Sequence, residues 1–277
     1  LSQLVTTPEL RAVIFGLRRQ QVMDVVRGAA FIGVLLLAWI SLRPFVDLGN
    51  QQLKDTSTGN ETLTYLVFAG LAVLTIALAA SDNMQGLKTL LTPAYVLFGG
   101  WIVTTVVLSL DPATSIKRFA LTACVMAVAA TLMLLPKTQH ELMRWFSIAA
   151  LLLLAVCYLG ILLAPTLSIH LATDIQEPQL AGNWRGAFGH KNVAASVMAM
   201  LVFLGIYIVR SGALVSGAAV IALASLFLLY SAGKSSLALT LVVLVLTSLT
   251  TVVRSLWLRG VMMLTPLVLL ILLGLLL

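Results

Sequence analysis

A chain of 277 residues in which 60% are hydrophobic and 10% charged, with a mean hydropathy of +1.07, cannot form a water-soluble surface. This composition excludes a soluble globular domain and makes the chain a membrane protein. Its formal charge of +7 reads as a topology signal, with no nucleic-acid patch among the basic residues.

The first 24 residues contain no cleavable signal, because the basic region is long, the apolar run after it is full length and no small-residue cleavage site follows. The stretch "TTPELRAVIFGLRRQ" reads as a short interfacial helix, with Thr7 as its cap, Pro8 in the first turn and Leu10, Val13, Ile14 and Leu17 on one face. A flexible cytoplasmic tail is the competing reading. Residues 1–24 therefore form a cytoplasmic or interfacial segment, and 25–277 a single transmembrane domain.

Beyond it, apolar runs predict helices over 25–42, 62–80, 91–110, 116–135, 145–164, 193–210, 213–231, 235–253 and 257–277. The expected fold is an all-α, polytopic helical bundle of about nine spans. Barrel strands are about ten residues of alternating polarity, and these segments are uniformly apolar.

With the N-terminus in the cytoplasm, Arg11, Arg18, Arg19, Arg27, Lys88, Lys137, Arg144, Arg210, Arg254 and Arg259 fall inside. Arg43, Lys54, Lys117, Arg118, Arg185, Lys191 and Lys234 fall outside, together with Asp47, Asp55, Glu61, Asp111, Asp174 and Glu177. Cys124 and Cys157 lie within predicted helices, away from any metal-ligand spacing, and read as packing residues. Trp101, Trp145, Trp184 and Trp257 take the interfacial places usual for tryptophan. The chain stops in "PLVLLILLGLLL" and lacks a starting Met, so a longer polypeptide with further C-terminal sequence is expected.

The central parts of the predicted spans carry no ionisable residue of the kind that proton coupling needs. Polar groups collect instead in three loops: "DPATSIKRF", the segment around "NWRGAFGHKNVAAS", and "YSAGKSSL". Two helices separate each loop from the next, so all three share the outer side. Together they offer Lys117, Arg118, Arg185, Lys191 and Lys234, with Ser231, Ser235, Asn192 and His190 as hydrogen-bonding companions. Such a cluster suits a polyanion at the membrane surface, a diphosphate above all. "GKSS" is not a nucleotide-binding loop, because Leu228 stands where a phosphate-cradling loop needs glycine. No nucleotide is expected.

"WRGAFGHKNVAAS", followed about 40 residues later by "YSAGKSSLAL", resembles the O-antigen ligase and polysaccharide polymerase family of bacterial envelope proteins. "DPATSIKRF" is similar to that family's Asp-Pro and basic stretch before an earlier helix. The resemblance covers roughly residues 90–277, and Lys234 with "HKN" leans toward members that polymerise exopolysaccharides. It implies a glycosyltransferase that moves a glycan from a polyprenyl-diphosphate carrier to an acceptor hydroxyl on a lipid A core, another repeat unit or a protein. It also implies residence in the bacterial inner membrane with the site on the periplasmic face. Arg118, Arg185, Lys191 and Lys234 would clamp the leaving diphosphate, supported by Asn192, Ser231 and Ser235.

No Asp-x-Asp pair occurs, so transfer without a metal or other cofactor is expected. His190 has a pKa range that permits general-base work. Local hydrogen bonding at a helix start is the simpler account of it, and the family places a general base in a later outer loop. Asn192 reads as a helix cap ahead of substrate contact. Two other classes compete with the enzyme: a lipid-linked glycan transporter that forms no bond, and a scaffold subunit of an envelope assembly complex.

Overall fold

The computed structural model describes residues 7–49, 57–90, 92–175, 177–262 and 264–265. Up to Val252 the described residues form ten α-helices, in order α1 (Thr7–Ile40), α2 (Ser57–Asp82), α3 (Met84–Thr89), α4 (Pro93–Val107), α5 (Pro112–Leu132), α6 (Gln139–Leu163), α7 (Pro165–Ser168), α8 (Lys191–Arg210), α9 (Leu214–Tyr230) and α10 (Lys234–Val252). Among the described residues no strand forms beyond one isolated bridge between Ile169 and Trp184.

Five of these helices are long and apolar enough to cross a membrane: α2, α5, α6, α8 and the Gln20–Ile40 part of α1. The expectation of nine spans is therefore corrected. Hydropathy reads through turns, and α4 shows how. The apolar run over 91–110 continues past Val107 into Leu108 and Leu110, which lie in the turn before α5. α9 has 17 residues, about 25 Å of helix against an apolar bilayer core of about 30 Å. Most of the expected helix over 257–277 lies outside the described residues.

The helix expected over the N-terminal stretch is present and continues into the first span as α1, 34 residues without a break. Pro8 falls in the first turn, where its missing N–H costs nothing, and no proline interrupts the run to Ile40. Thr7, expected as a cap, is helical.

Two cores hold the bundle. One joins α6, α8 and α9 through Leu153, Leu154, Cys157, Met198, Leu201, Val220 and Phe227. The other joins α1, α2, α5 and the start of α6 through Phe31, Leu78, Val128, Leu132 and Trp145. Trp145, expected at an interface, is thus a core residue, with its ring 5.4 Å from that of Phe31. α8 and α9 meet backbone to backbone where Gly205 faces Gly217: a Cβ on Gly217 would lie 2.8 Å from the Gly205 carbonyl oxygen. Leu97, Trp101, Val107, Leu163, Val215 and Leu239 remain exposed, a surface suited to lipid.

Contacts separate the two ends of the bundle. At one end, buried Arg27 pairs with Asp24 and Asp82, and Lys137 Nζ lies 3.2 Å from Asp24 and 3.6 Å from Asp82. At the other, the Phe45 N–H donates to the Ala187 carbonyl and the Trp184 N–H to that of Tyr230.

Candidate functional site

The segment between α7 and α8 is folded back on itself. His170 N–H donates to the Asn183 carbonyl (3.0 Å), Gly182 N–H donates to His170 (2.8 Å), and Arg185 and Gly186 N–H both donate to Ser168 (2.9 and 2.8 Å). Gly186 sits at φ +58°, where a side chain would be strained and its Cβ would lie 3.0 Å from both the Cys157 sulfur and the Phe227 ring. Trp184 stacks on Tyr230 at 4.4 Å, fixing this loop to the end of α9.

The fold-back brings His170 and His190 within 5.4 Å, ring to ring, at the start of α8. His190 is the N-cap: its Nδ1 accepts from the Asn192 N–H at 3.0 Å, which leaves the ring proton on Nε2, 2.6 Å from the Glu177 carboxylate. His170 repeats the pattern in mirror fashion. Its Nε2 accepts from the Lys191 N–H at 3.3 Å, and its Nδ1 faces Asp174 at 3.0 Å. Burial pulls the His170 pKa below its ordinary value, nearby Arg185 and His190 act in the same direction, and Asp174 opposes them. The cap expected from Asn192 is thus supplied by His190, and Asn192 is the second residue of the helix.

α10 starts beside α8. Their first turns touch so closely that a Cβ on Gly233 would lie 2.3 Å from that of Ala195, and the Ser196 and Ser236 hydroxyls are 3.4 Å apart. α10 has no side-chain cap. The N–H groups of Ser235 and Ser236 have no partner within the helix, as the first turn of any α-helix dictates. Between the two helix starts lies a cleft of about 480 Å³ lined by Lys191, Asn192, Ser196, Ala232, Lys234, Ser235 and Ser236. Lys191 Nζ reaches the Ala232 carbonyl at 3.4 Å. Two cations, two positive helix ends and a row of hydroxyls make this an anion-binding environment.

The other sequence-predicted residues lie elsewhere. Arg185 is fully buried and donates to the Val46 carbonyl at 2.8 Å, with Nε and Nη2 unpartnered. Burial lowers its pKa, against the pull of Asp174 and Asp47. Ser231 is buried, and its hydroxyl donates back to Leu228. Lys117 and Arg118 are exposed on α5, which packs on α2 and α4, and neither lines the cleft. Of the three loops expected to meet, two do. No family model, curated protein or solved structure matches the chain.

His170 and Asp174 escaped sequence reasoning. Their signal was faint: two acids in the same loop as two histidines, spaced His-x-x-x-Asp, in a segment with no helical periodicity.

Proposed function

We propose that the protein is a membrane glycosyltransferase that moves a glycan from a polyprenyl-diphosphate carrier to an acceptor hydroxyl on the outer face of the bacterial inner membrane. The reading rests on one observation: Lys191 and Lys234 face one cleft at the starts of two helices that run side by side, one of them uncapped. In the transfer, the acceptor oxygen bonds to the anomeric carbon as the bond from that carbon to the diphosphate breaks. The acceptor proton passes to a base, and negative charge grows on the departing diphosphate. Lys191, Lys234 and the open N–H groups of α10 would meet that charge without rearrangement, which is the economy of a preorganised site. Exposed apolar helix faces beside the cleft would take the polyprenyl tail. Arg185, buried beneath the loop, would hold the site's floor and the 45–47 segment in place, with no direct hold on the diphosphate.

The decisive experiment uses the full-length protein in proteoliposomes with a polyprenyl-diphosphate-linked glycan and its acceptor. Lys234→Ala should cut turnover roughly 100-fold or more, with helical content and thermal midpoint unchanged. Full activity in both Lys234→Ala and Lys191→Ala would overturn the assignment. In cells lacking the protein, single repeat units stranded on the carrier would mark a polymerase, and stranded long chains a ligase.

A further inference from the structure

At the end of the bundle opposite the cleft, a groove of about 740 Å³ opens between the first turns of α6 and the turn that joins α8 to α9. It plays no part in the proposed chemistry. One wall is a single stripe of α6: Gln139, His140, Met143, Arg144, Ser147, Ile148 and Leu151 recur three and four apart, so they share one face. The other wall is built from small residues, Ser211, Gly212, Ala213 and Ser216. From Gln139 to Leu151 the stripe descends about 18 Å along the helix. It is polar at the mouth, carries a cation one turn in, and is apolar below.

The walls are tied together, because Gln139 Nε2 donates to the Tyr207 hydroxyl at 2.6 Å. Ser147, Ser211 and Ser216 direct their hydroxyl protons to carbonyls of their own segments, those of Met143, Tyr207 and Ala213. They have no proton left for an anion. Positive charge in the groove therefore comes from Arg144, which is exposed and, among the described residues, forms no ion pair. Its neighbours at this end differ, since Arg27 and Lys137 are neutralised by Asp24 and Asp82.

One unneutralised guanidinium above an apolar slot fits one phosphodiester above one acyl chain. A polyanion would find too little charge here, and a neutral lipid would leave Arg144 uncompensated. We infer that this groove binds a single anionic glycerophospholipid from the adjoining leaflet, its phosphate held by the fork of Arg144 beside His140 and an acyl chain lying along Ile148 and Leu151. The ligand is a structural lipid, and its retention fills the gap between α6 and the α8–α9 turn.

The test is native mass spectrometry of the full-length protein released from micelles doped with phosphatidylglycerol or, separately, phosphatidylcholine. The intact protein should keep one phosphatidylglycerol in preference to phosphatidylcholine. Arg144→Ala should weaken that retention roughly tenfold or more, and Arg144→Lys should recover part of it. Ser216→Leu, which fills the slot and leaves the charge in place, should abolish retention as well. Equal retention of both lipids, or phosphatidylglycerol binding that survives both Arg144→Ala and Ser216→Leu, would overturn the inference. So would a cross-link from a cysteine placed at Ile148 to a second copy or to a later part of the same chain, since the slot would then have a protein occupant.

Discussion

α8 and α10 begin side by side, yet their first turns are finished in opposite ways. α8 is closed: His170 takes the Lys191 N–H, His190 takes that of Asn192, and each imidazole is backed by a carboxylate. α10 is open, with Gly233 at its cap position and no side chain accepting from its first turn. A closed start holds a helix in register and spends its donors internally. An open start keeps its donors for a ligand. The pair divides the labour, with α8 fixing where Lys191 stands and α10 leaving room for the anion beside Lys234.

The comparison depends first on how closely the two starts approach. Gly233→Ala puts a Cβ 2.3 Å from that of Ala195, which should cost about 1–3 kcal/mol and lower the thermal midpoint in micelles. Ala195→Gly in the same chain should return most of the loss. If Gly233→Ala is neutral alone, the helices are not held together at this point.

The closed start should be sensitive to acid. His170 has a pKa below its usual value of about 6.5, so the folded state binds its proton less readily than the unfolded chain does. Its contribution to stability is complete above that value and is lost as pH falls from about 6.5 toward the lowered pKa. Unfolding followed from pH 7.5 to 5 should show stability dropping through this window. His170→Gln should flatten that part of the curve, and an unchanged slope would place the effect on another group.

The open start should trade binding for stability. Ser235→Asp places a negative charge at the positive end of α10 and should stabilise the fold by about 0.3–1 kcal/mol. Pyrophosphate, used as a probe in isothermal titration, should bind the variant more weakly than the parent. Unchanged pyrophosphate affinity would mean that the first turn of α10 takes no part in holding the anion.

Much of this was readable beforehand, for a physical reason in each case. The long apolar runs of α1, α2, α5, α6 and α8 announced themselves because lipid-facing and core-facing positions are both apolar in such a helix. Where helices end was less visible, since Leu108 and Leu110 are as apolar in a turn as in a span. At the site, Lys191 and Lys234 were found because a cation among small residues stands out in so apolar a chain. Arg185 carried the same signal, and its guanidinium is turned inward to Val46, a geometry that depends on a residue 139 positions away. His170 and Asp174 were invisible because only the fold-back at Gly182 and Gly186 brings them under α8.

The quartet at the far end has a consequence for how the chain is made. Arg27 meets Asp24 within its own helix as soon as α1 exists, but Asp82 follows 55 residues later, and Lys137 lies 113 residues beyond Asp24. Burying an arginine at the end of a membrane helix is costly until carboxylates face it. During synthesis Asp24 offsets that cost from the start and Asp82 adds a second carboxylate when α2 emerges, leaving a net negative charge that Lys137 balances once the loop before α6 follows. The two acids and two cations of the quartet therefore balance only when α1, α2 and the loop before α6 are all in place, so the seating of α1 waits on a residue 113 positions after Asp24.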